Sequence, residues 1–539
     1  MARQRLFKSI LAVTTTGLGV YAYDSNTEAQ LVTRNVRTFY NGIGLAVDYK
    51  LNFKPGDLSS MEAVHERVAN RIYDVCERNG GLYIKIGQVI GTQAAVLPAQ
   101  YQKRARKLFD AAPAVPYSVV ERVFQEDFGV SPHEIFKEFD PKPVASASIA
   151  QVHKAKLHDG TVVAVKVQKP AIRKQMDSDL LAFRMLLHLY ERLFDLPMVF
   201  VSDYVEKHIR MEADFEREAH NSMIAWKNLQ KEKTLNGLVY IPKVFSEIGS
   251  KRVMVAEWVD GVQLTALDKL KAMGASPAQA MQVTVEAFAS QIFKSGFLHG
   301  DPHPGNVLVR KHPHKKNQFQ VVLIDHGLYI EESEKFREEY CRLWEAMFLL
   351  DTKTLNEICQ KWGINDSNMF ASVTLQKPYM PSKAPHLAQG NVSFHDAYEM
   401  QMSMKTRIRN FLVNQALFPR ELIFVSRNMN IVRANNKAMG SPVNRINIMA
   451  RWAVYGLESK NKEKRGIRDY LKHSWRLVLF ETTLFAMTVS FYIVKLTEKA
   501  NQIIWGKASQ GFEAVLDARM KEQLQQQFGI VLDESVFDA

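Results

Sequence analysis

The stretch that decides the fold is His299-Gly300-Asp301-Pro302-His303-Pro304-Gly305-Asn306, which is followed further along by Asp325-His326-Gly327. Together the two motifs contain two aspartates and one asparagine, which offer oxygen ligands of the kind that hold Mg²⁺ together with substrate phosphates. The apolar run Val321-Val322-Leu323-Ile324 predicts a buried strand that leads directly into the second motif. The two motifs, in this order and with a strand between them, predict magnesium and phosphate chemistry.

The spacing from Asp301 to Asn306 is that of the kinase catalytic loop H-R-D-x-x-x-x-N, with Gly300 where arginine normally stands. The motif that begins at Asp325 stands where a kinase has D-F-G. In that scheme Asp301 is catalytic, because it orients or deprotonates the attacking hydroxyl. Asn306 and Asp325 are the predicted metal ligands, which hold Mg²⁺ against the phosphate oxygens. The motif pair therefore predicts ATP or ADP and Mg²⁺ as cofactors.

A phosphate-binding lysine is predicted upstream. The run from Thr161 to Val167 is rich in β-branched residues and contains the pattern V-A-x-K, so Lys166 is predicted to reach the α and β phosphates and to serve catalysis. The turn pair Asp159-Gly160 predicts a hairpin between this strand and a strand from Ala147 to Leu157.

The first hairpin lacks the glycines that usually approach phosphate. In place of G-x-G-x-x-G it reads Val144-Ala145-Ser146-Ala147-Ser148-Ile149-Ala150-Gln151-Val152, and these nine residues are predicted to bind the nucleotide. Alanine and serine disfavour positive φ, so we expect a stiffer loop and an altered phosphate pose. The run from Arg252 to Val259 predicts the last strand of a small lobe, and the backbone at Glu257 and Val259 is predicted to bind adenine.

A group of acids lies between these motifs. A helical reading of Met211 to Asn221 places Asp214 and Glu218 on one face at i, i+4, with Glu212 on another. Stacked acids repel each other unless a cation lies against them, and Lys166 or a bound metal is a candidate cation. The alternative is a solvated charged face, but the neighbouring motifs favour the functional interpretation.

These features resemble the UbiB-family atypical kinases, the AarF-domain-containing branch of the protein-kinase-like superfamily. The resemblance is carried by the alanine-rich loop, by Glu-x-Asp at Glu212 and Asp214, and by K-x-G-Q from Lys85 to Gln88. It covers residues 60–345. It implies an α+β, protein-kinase-like two-lobed fold with C-terminal helices. It also implies an N-terminal helical extension that covers the site where a protein kinase docks its peptide.

The resemblance also implies roles for individual residues. Lys85 and Gln88 would face the nucleotide pocket, with Lys85 paired to Glu212 and Lys166 paired to Glu218. The two ends of the chain are most similar to the mitochondrial, kinase-1-like subgroup. Membership of that subgroup would imply a kinase or ATPase that acts in lipid, quinone or membrane homeostasis.

The sequence contains no recognisable peptide-docking segment. A helical pattern begins at Glu331, soon after Gly327, and no A-P-E follows it. A lipid or small-molecule substrate is therefore expected, although a protein substrate stays open. Two alternatives remain, a conventional serine/threonine protein kinase and a nucleotide-binding pseudokinase scaffold.

The composition indicates which partners the chain suits. Its 539 residues are 46% hydrophobic, and 70 Lys and Arg against 57 acids leave a net charge of +13. This excess suits an anionic membrane surface, and without a nucleic-acid-binding motif no nucleic-acid partner is predicted. Cys76, Cys341 and Cys359 are widely spaced, which indicates neither a disulfide framework nor a zinc site.

The predicted segments follow from these patterns. They are a targeting or anchor segment 1–23, a helical extension 24–139, a kinase-like core 140–345 with its small lobe ending near 258, the rest of the large lobe 346–470 with a surface insertion near 370–395, and C-terminal helices 471–539.

Two segments bear on location. Residues 1–23 contain Arg3, Arg5 and Lys8 and no acid, which favours mitochondrial targeting over a secretory signal. The run from Leu477 to Leu496 is long enough to span a bilayer, with a buried amphipathic helix as the equal alternative. We therefore expect a mitochondrial, membrane-associated protein, at the inner membrane, with membrane lipids as partners.

Overall fold

The computed structural model describes residues 19–54, 57–91, 100, 101, 104, 108, 113–195, 199–364, 366–375, 377, 379, 419–458, 467–505 and 511–519. The chain forms two compact units, residues 1–217 with 245–258, and residues 218–244 with 259–539. Most of the predicted targeting segment (1–18) and most of the predicted insertion (380–395) lie outside the described residues. The predicted α+β class is confirmed.

The helices and strands are numbered in chain order. The helices are α1 Leu31–Asn52, α2 Leu58–Asn79, α3 Leu82–Gly91, α4 Tyr117–Phe128, α5 Pro132–Ile135, α6 Ala171–Phe194, α7 Val199–Glu212, α8 Phe215–Lys231, α9 Leu267–Met273, α10 Pro277–Ser290, α11 Glu334–Leu349, α12 Thr352–Lys361, α13 Ser367–Leu375, α14 Glu421–Ala438, α15 Arg445–Glu458 and α16 Ile467–Trp505. The strands are β1 Glu138–Phe139, β2 Ala145–Ser146, β3 Ala150–Lys156, β4 Val162–Gln168, β5 Val239–Tyr240, β6 Val253–Glu257, β7 Val262–Gln263, β8 Phe297–His299, β9 Val307–Lys311, β10 Phe319–Leu323 and β11 Tyr329–Glu331.

The first unit contains a five-stranded sheet in the order β1-β3-β4-β6, with β2 paired to β3. The predicted β3–β4 hairpin is present, and its turn glycine, Gly160, has φ of 91°. Along β4, the residues Val163, Val165 and Val167 are buried, as the alternation of a strand with one covered face requires. They pack in one cluster with Phe124 of α4.

A buried ion pair joins two helices of the first unit. Arg34 of α1 donates from Nε to Asp179 Oδ1 of α6 at 3.1 Å, and a second guanidinium N–H donates to the Asn79 carbonyl at the end of α2. The two side chains are 4% and 0% exposed. Burial raises the pKa of Asp179, and the hydrogen bond from Arg34 opposes that rise. The pair therefore links α1, α2 and α6 through one cation.

The second unit contains a four-stranded sheet in the order β5-β10-β9-β7 and a two-stranded sheet of β11 and β8. Ser276 caps α10 by accepting a hydrogen bond from the Gln279 N–H at 3.3 Å, as the Ser-Pro pair predicts. Met281, Val285 and Phe288 fall at helical spacing along α10, and all three are buried.

Three local predictions in the second unit are corrected. The helix predicted from Glu331 begins at Glu334, because Glu331 belongs to β11 and pairs with Phe297. Ile324 is 37% exposed, because β10 ends one residue earlier. The predicted surface insertion begins inside a helix, since α13 extends to Leu375 and buries that side chain.

The long helix α16 is apolar and largely exposed. Its segment Ser474–Ile504 is long enough to cross a membrane, with a mean hydropathy of 1.8 and only 17% of its most apolar window buried. Phe485 and Leu496 are 68% and 67% exposed. Of the buried amphipathic helix that was the alternative for Leu477 to Leu496, the structure has only one narrow buried face, formed by Phe480, Leu484 and Phe491. Glu481 lies on the exposed side and pairs with Arg451 at 3.1 Å.

Breaking the Arg34–Asp179 pair should destabilise the fold strongly. Arg34→Met leaves an uncompensated buried carboxylate, so the free energy of unfolding should fall by about 3–5 kcal/mol. Adding Asp179→Leu should recover much of that loss, because the unpaired charge is removed as well. The measurement is equilibrium denaturation. Arg78→Met, which breaks the exposed pair with Asp74, should change stability far less, and equal effects of the two arginine changes would contradict this interpretation.

Candidate functional site

The predicted catalytic loop lies in the second unit between β8 and β9. His299 is the last residue of β8, and Asn306 ends a 3₁₀ turn that leads directly into β9. The Asn306 carbonyl accepts a hydrogen bond from the Ile324 N–H at 3.1 Å, and its side-chain amide lies 3.4 Å from the Asp301 carbonyl. These bonds bring the predicted metal ligand Asn306 to the end of β10, immediately before Asp325.

A buried histidine bridges the two motifs. His299 Nδ1 accepts a hydrogen bond from the Asp301 N–H at 3.0 Å, and Nε2 lies 2.9 Å from the Asp325 carbonyl. One ring nitrogen accepts and the other faces an acceptor, so the ring fits the neutral tautomer protonated on Nε2. Desolvation lowers the pKa of His299, while the two aspartates oppose the shift. A neutral imidazole therefore ties the backbone of the predicted catalytic residue to that of a predicted metal ligand.

The motif at Asp325 is held by its own hydrogen bonds. Asp325 Oδ1 accepts from the Gly327 N–H at 3.0 Å, and the side chain of Asn221 on α8 donates to the His326 carbonyl at 3.0 Å. The ring of buried His326 lies 3.1 Å from both the Tyr329 hydroxyl and the Leu323 carbonyl. The position corresponding to the kinase Phe therefore carries a hydrogen-bonded ring.

The glycine at position 300 has a packing reason. A Cβ on Gly300 would lie 2.6 Å from Leu328 Cγ, which is closer than atoms can approach. The Gly300 N–H also donates to the Leu328 carbonyl at 2.8 Å. The arginine of H-R-D is therefore excluded from this position by the residue that follows the second motif.

The helical reading of Met211 to Asn221 is wrong. Helix α7 ends at Glu212 and α8 begins at Phe215, with Asp214 accepting a hydrogen bond from the Arg217 N–H at 3.3 Å. Asp214 therefore acts as an N-cap, where a short acidic side chain is favoured over a helix interior. Asp214 and Glu218 do not share one continuous helix face. Glu218 is fully buried in the second unit, and its pairing with Lys166 of the first unit stays a prediction.

The K-x-G-Q motif and the Glu-x-Asp motif meet in the first unit. Lys85 Nζ lies 3.0 Å from a Glu212 carboxylate oxygen, which is the contact that the resemblance implies. Gln88 donates from Nε2 to the Leu108 carbonyl at 3.2 Å. A Cβ on Gly87 would lie 2.4 Å from Leu108 Cδ1, so the glycine of the motif permits close packing. The nucleotide roles of Lys85, Gln88 and Glu212 stay predictions.

Lys166 lies on β4 opposite Val152 of β3 and Met254 of β6. Its Nζ is 5.1 Å from the centre of the Phe215 ring, within the range of a cation–π contact. Glu257 is the last residue of β6 and lies opposite Val163, whereas Val259 belongs to the second unit.

The alanine-rich loop is held without glycine. No residue from Val144 to Val152 has a positive φ, as alanine requires. The loop closes on itself through the Ala147 N–H, which donates to the Ala150 carbonyl at 2.8 Å. The hydroxyl of Ser146 is buried and has no hydrogen-bond partner in the part of the chain that the structure describes, which is the condition of a group that a ligand can satisfy.

Sequence reasoning missed Lys169, which holds this loop. Its buried ammonium donates to the Ala147 carbonyl at 2.6 Å and to the Pro113 carbonyl at 2.8 Å. Its backbone N–H donates to the Ile149 carbonyl at 3.0 Å. Burial lowers the pKa of Lys169 to about 8. A lysine after a strand normally indicates a solvated position, so no signal in the sequence marked it.

In the described part of the chain, no group of three or more His, Cys, Asp and Glu side chains could hold a metal ion. The predicted Mg²⁺ ligands are two, Asn306 and Asp325. That number suits a magnesium ion whose remaining ligands are phosphate oxygens and water.

Comparison with known proteins finds relatives whose sequences align with most of the chain. The model of the ABC1 atypical kinase-like domain matches residues 107–359. An ABC1 family protein of Schizosaccharomyces pombe is 39% identical over 452 residues, 84% of this chain and 84% of that protein. An AarF domain-containing protein kinase 1 of Xenopus tropicalis is 32% identical over 404 residues, 74% of this chain and 76% of that protein. Among solved structures, the complex of Rv3197 with erythromycin from Mycobacterium tuberculosis has a TM-score of 0.43 and 22% identity over 73% of this chain and 94% of that chain.

The buried ammonium of Lys169 should make stability depend on pH. The folded chain loses this proton near pH 8, whereas an unfolded lysine loses it near about pH 10.4. Between these values the unfolded state binds more protons, so the free energy of unfolding of the wild type should rise with pH relative to Lys169→Met. The expected gain is roughly 1.4 kcal/mol per pH unit.

Denaturation of wild type and variant at about pH 8 and about pH 10 measures this difference. Lys137→Met, at an exposed position of the same unit, is the matched control. If the difference in free energy of unfolding between wild type and variant changes with pH equally for Lys169→Met and Lys137→Met, the ammonium of Lys169 is not buried as described.

Proposed function

The chain belongs to the ABC1 family of atypical kinase-like proteins, the AarF-domain branch that its motifs resemble, and from this premise we propose that it binds MgATP or MgADP and acts as a phosphotransferase or ATPase. The observation that carries the proposal is the neutral His299 bridge. This bridge joins the backbone of Asp301, the predicted catalytic residue, to that of Asp325, a predicted metal ligand.

In the proposed mechanism, Asp301 accepts the proton of the attacking hydroxyl or water while its backbone is held by His299. Asn306 and Asp325 would hold Mg²⁺, which supplies charge neutralisation at the phosphate oxygens. The Asn306 amide and the Asp325 carboxylate are oxygen donors of the hardness that this ion prefers. The protein's own contribution is position, since the loop and the strand end are fixed by backbone hydrogen bonds.

Most of the groups proposed to bind the nucleotide belong to the first unit, and Glu218 and Val259 belong to the second. Lys166 is proposed to bind the α and β phosphates, with Glu218 as its orienting acid. The alanine-rich loop from Val144 to Val152 is proposed to bind phosphate, because the unpartnered hydroxyl of Ser146 offers a donor there. Lys85, Gln88, Glu212 and Asp214 are proposed to line the same pocket, and Glu257 and Val259 to contact adenine through their backbones.

A lipid or small-molecule substrate is proposed because the segment after the second motif is short. Only Leu328 separates Gly327 from β11, and α11 begins at Glu334. β11 is itself paired with β8, so its backbone is already used in the sheet. A protein kinase presents its peptide on an extended segment at this position, and this chain has a strand and a helix in its place.

Magnesium-dependent nucleotide binding can be tested directly. MgATP or MgADP at about one hundred times its Kd should stabilise the folded chain by about 2.7 kcal/mol, which a thermal shift records. Asp325→Asn and Lys166→Arg should each lose most of that shift. Asp268→Asn and Lys269→Arg, the same changes at exposed positions of α9, should keep it. An undiminished shift in both site variants would show that these residues do not bind the nucleotide.

We also propose that the protein is held at a membrane, in mitochondria, with lipids as partners. The first support is α16, whose apolar side chains are exposed over a length that can cross a bilayer. Bases exceed acids over the whole chain by 13 charges, which favours anionic lipid surfaces. The acid-free, basic segment 1–23 supports the mitochondrial location.

The second support is α1, which exposes apolar residues on one face and buries polar residues on the other. Its exposed apolar residues lie three or four positions apart on one face and are Val32, Val36, Tyr40, Ile43, Val47 and Leu51. Its buried residues include the polar side chains of Thr33, Arg34, Thr38 and Asp48. A helix that faces water has the opposite pattern, so the exposed face suits an apolar environment. The nearby acids are buried or paired, Glu28 with Arg122 and Lys174, and Asp48 with Arg67, which suits an anionic surface.

Charges on α16 should release the protein from membranes. Arginine at a helix centre costs about 2.5–3.5 kcal/mol in a bilayer, so Phe485→Arg with Tyr492→Arg should convert a carbonate-resistant protein into a soluble one. The measurement is carbonate extraction of the mitochondrial fraction of cells that express each form. Gln360→Arg, at an exposed position of α12, is the control and should resist carbonate extraction as the wild type does. Complete release of the wild type by carbonate would exclude a spanning α16.

A further inference from the structure

Helix α14 contacts the catalytic loop through three side chains. Arg427 Nη2 lies 3.4 Å from Asp301 Oδ1. The Asn428 amide donates to the His299 carbonyl at 2.8 Å, and the Asn435 amide donates to the Pro302 carbonyl at 3.1 Å. All three residues lie in the second unit, and the helix follows the predicted kinase-like core in the sequence. The contacts fall on both sides of the predicted catalytic residue.

The three side chains are placed where a helix would ordinarily carry apolar residues. Asn428 and Asn435 are 0% and 2% exposed, and they are seven positions apart, which puts them on one face two turns from each other. Asparagine is a weak helix former, and burying its amide is unfavourable unless hydrogen bonds replace those made with water. The two amides on this face both donate to backbone carbonyls of the loop. The donor nitrogens of both amides are therefore used in holding that loop, while Asn428 Oδ1 is buried without a partner among the described residues.

An arginine reaches the catalytic aspartate from α14, whereas the loop itself has Gly300 at the arginine position of the kinase pattern. The kinase pattern has arginine directly before the catalytic aspartate, and here Leu328 leaves no room for a side chain on Gly300. Arg427 brings a guanidinium to the Asp301 carboxylate from a distant part of the sequence. The Nε of Arg427 is buried and has no hydrogen-bond partner among the described residues.

We propose that α14 is a catalytic-loop clamp in which Arg427 is a positioning residue for the Asp301 carboxylate, and Asn428 and Asn435 hold the loop backbone on either side of it. The proposal rests on the proposed function, because positioning matters only if Asp301 serves phosphoryl transfer or ATP hydrolysis. The clamp acts on the catalytic aspartate and not on the nucleotide ligands. Its loss should therefore lower turnover and leave nucleotide binding intact.

The first test separates turnover from binding. Arg427→Gln should lower kcat by about 10²-fold, because a misplaced catalytic group loses roughly that factor, with little change in the KM for MgATP. Arg427→Lys keeps the cation and should recover part of the loss. Arg420→Gln removes the same charge from the exposed start of α14 and should behave as wild type. An Arg427→Gln enzyme with the kcat of Arg420→Gln would overturn the clamp.

The second test does not depend on turnover. Hydrogen exchange of peptides covering residues 299–306 should increase in Arg427→Gln and in Asn435→Ala, because each variant loses a contact that holds the loop. Arg420→Gln should exchange as the wild type does. Unchanged exchange in both clamp variants would overturn the proposal even if the wild type shows no activity. Failure of MgATP to shift the melting of the wild type would instead refute the proposed function, so the two failures are distinguishable.

Discussion

The hydrogen bonds of His299 are the interaction on which the candidate site depends. This buried side chain occupies the end of β8 and accepts the N–H of Asp301 while its other nitrogen faces the carbonyl of Asp325. Only a neutral imidazole can do both, and burial favours the neutral form. The separation between the two motifs is thereby set by one rigid ring. Metal ligation that uses few protein ligands requires such a fixed separation, because the ion itself imposes a strict geometry.

The same unit supports this bridge with neighbouring polar contacts. Gly300 is required by the packing of Leu328, and Asn428 binds the carbonyl of His299 itself. The carbonyls of His299 and Pro302 thus each receive a hydrogen bond from a side chain of α14. Networks of this kind favour one arrangement strongly, because an unmade hydrogen bond in a dry environment is costly. We infer that hydrogen bonds to backbone groups hold the catalytic loop in place.

In the first unit, buried cations hold helices and a loop in place. Arg34 ties three helices together, and the ammonium of Lys169 holds two carbonyls around the alanine-rich loop. A glycine-rich loop gains its approach to phosphate from positive φ, which alanine disfavours. Here the backbone stays in ordinary conformations, and a buried lysine defines the position of the loop. The loop that lacks glycine is therefore positioned by Lys169, a residue outside it.

Local features of the fold could be predicted from adjacent residues. The strand that carries Lys166 and the turn at Gly160 are as predicted, because hydrophobic period and turn chemistry depend on adjacent residues. The cap at Ser276 and the core face of α10 follow from adjacent residues in the same way. The spacing of Asp301, Asn306 and Asp325 and the K-x-G-Q motif also sufficed to indicate the family. The continuous helix predicted across Asp214 was wrong, because Asp214 caps the second of two helices and its capping chemistry competed with helical periodicity.

The residues that contact these motifs from distant parts of the sequence could be identified only in the folded chain. Lys169, Arg427, Asn428 and Asn435 belong to no motif, and each would be read from the sequence as a solvated side chain. Their roles come from contacts with carbonyls and a carboxylate that are far away along the chain or that packing alone buries. The exposed apolar face of α1 is a further case, since its pattern is amphipathic and only packing shows that the polar face is the buried one. Periodicity indicates that a helix has two faces, and the surrounding fold decides which of them meets solvent.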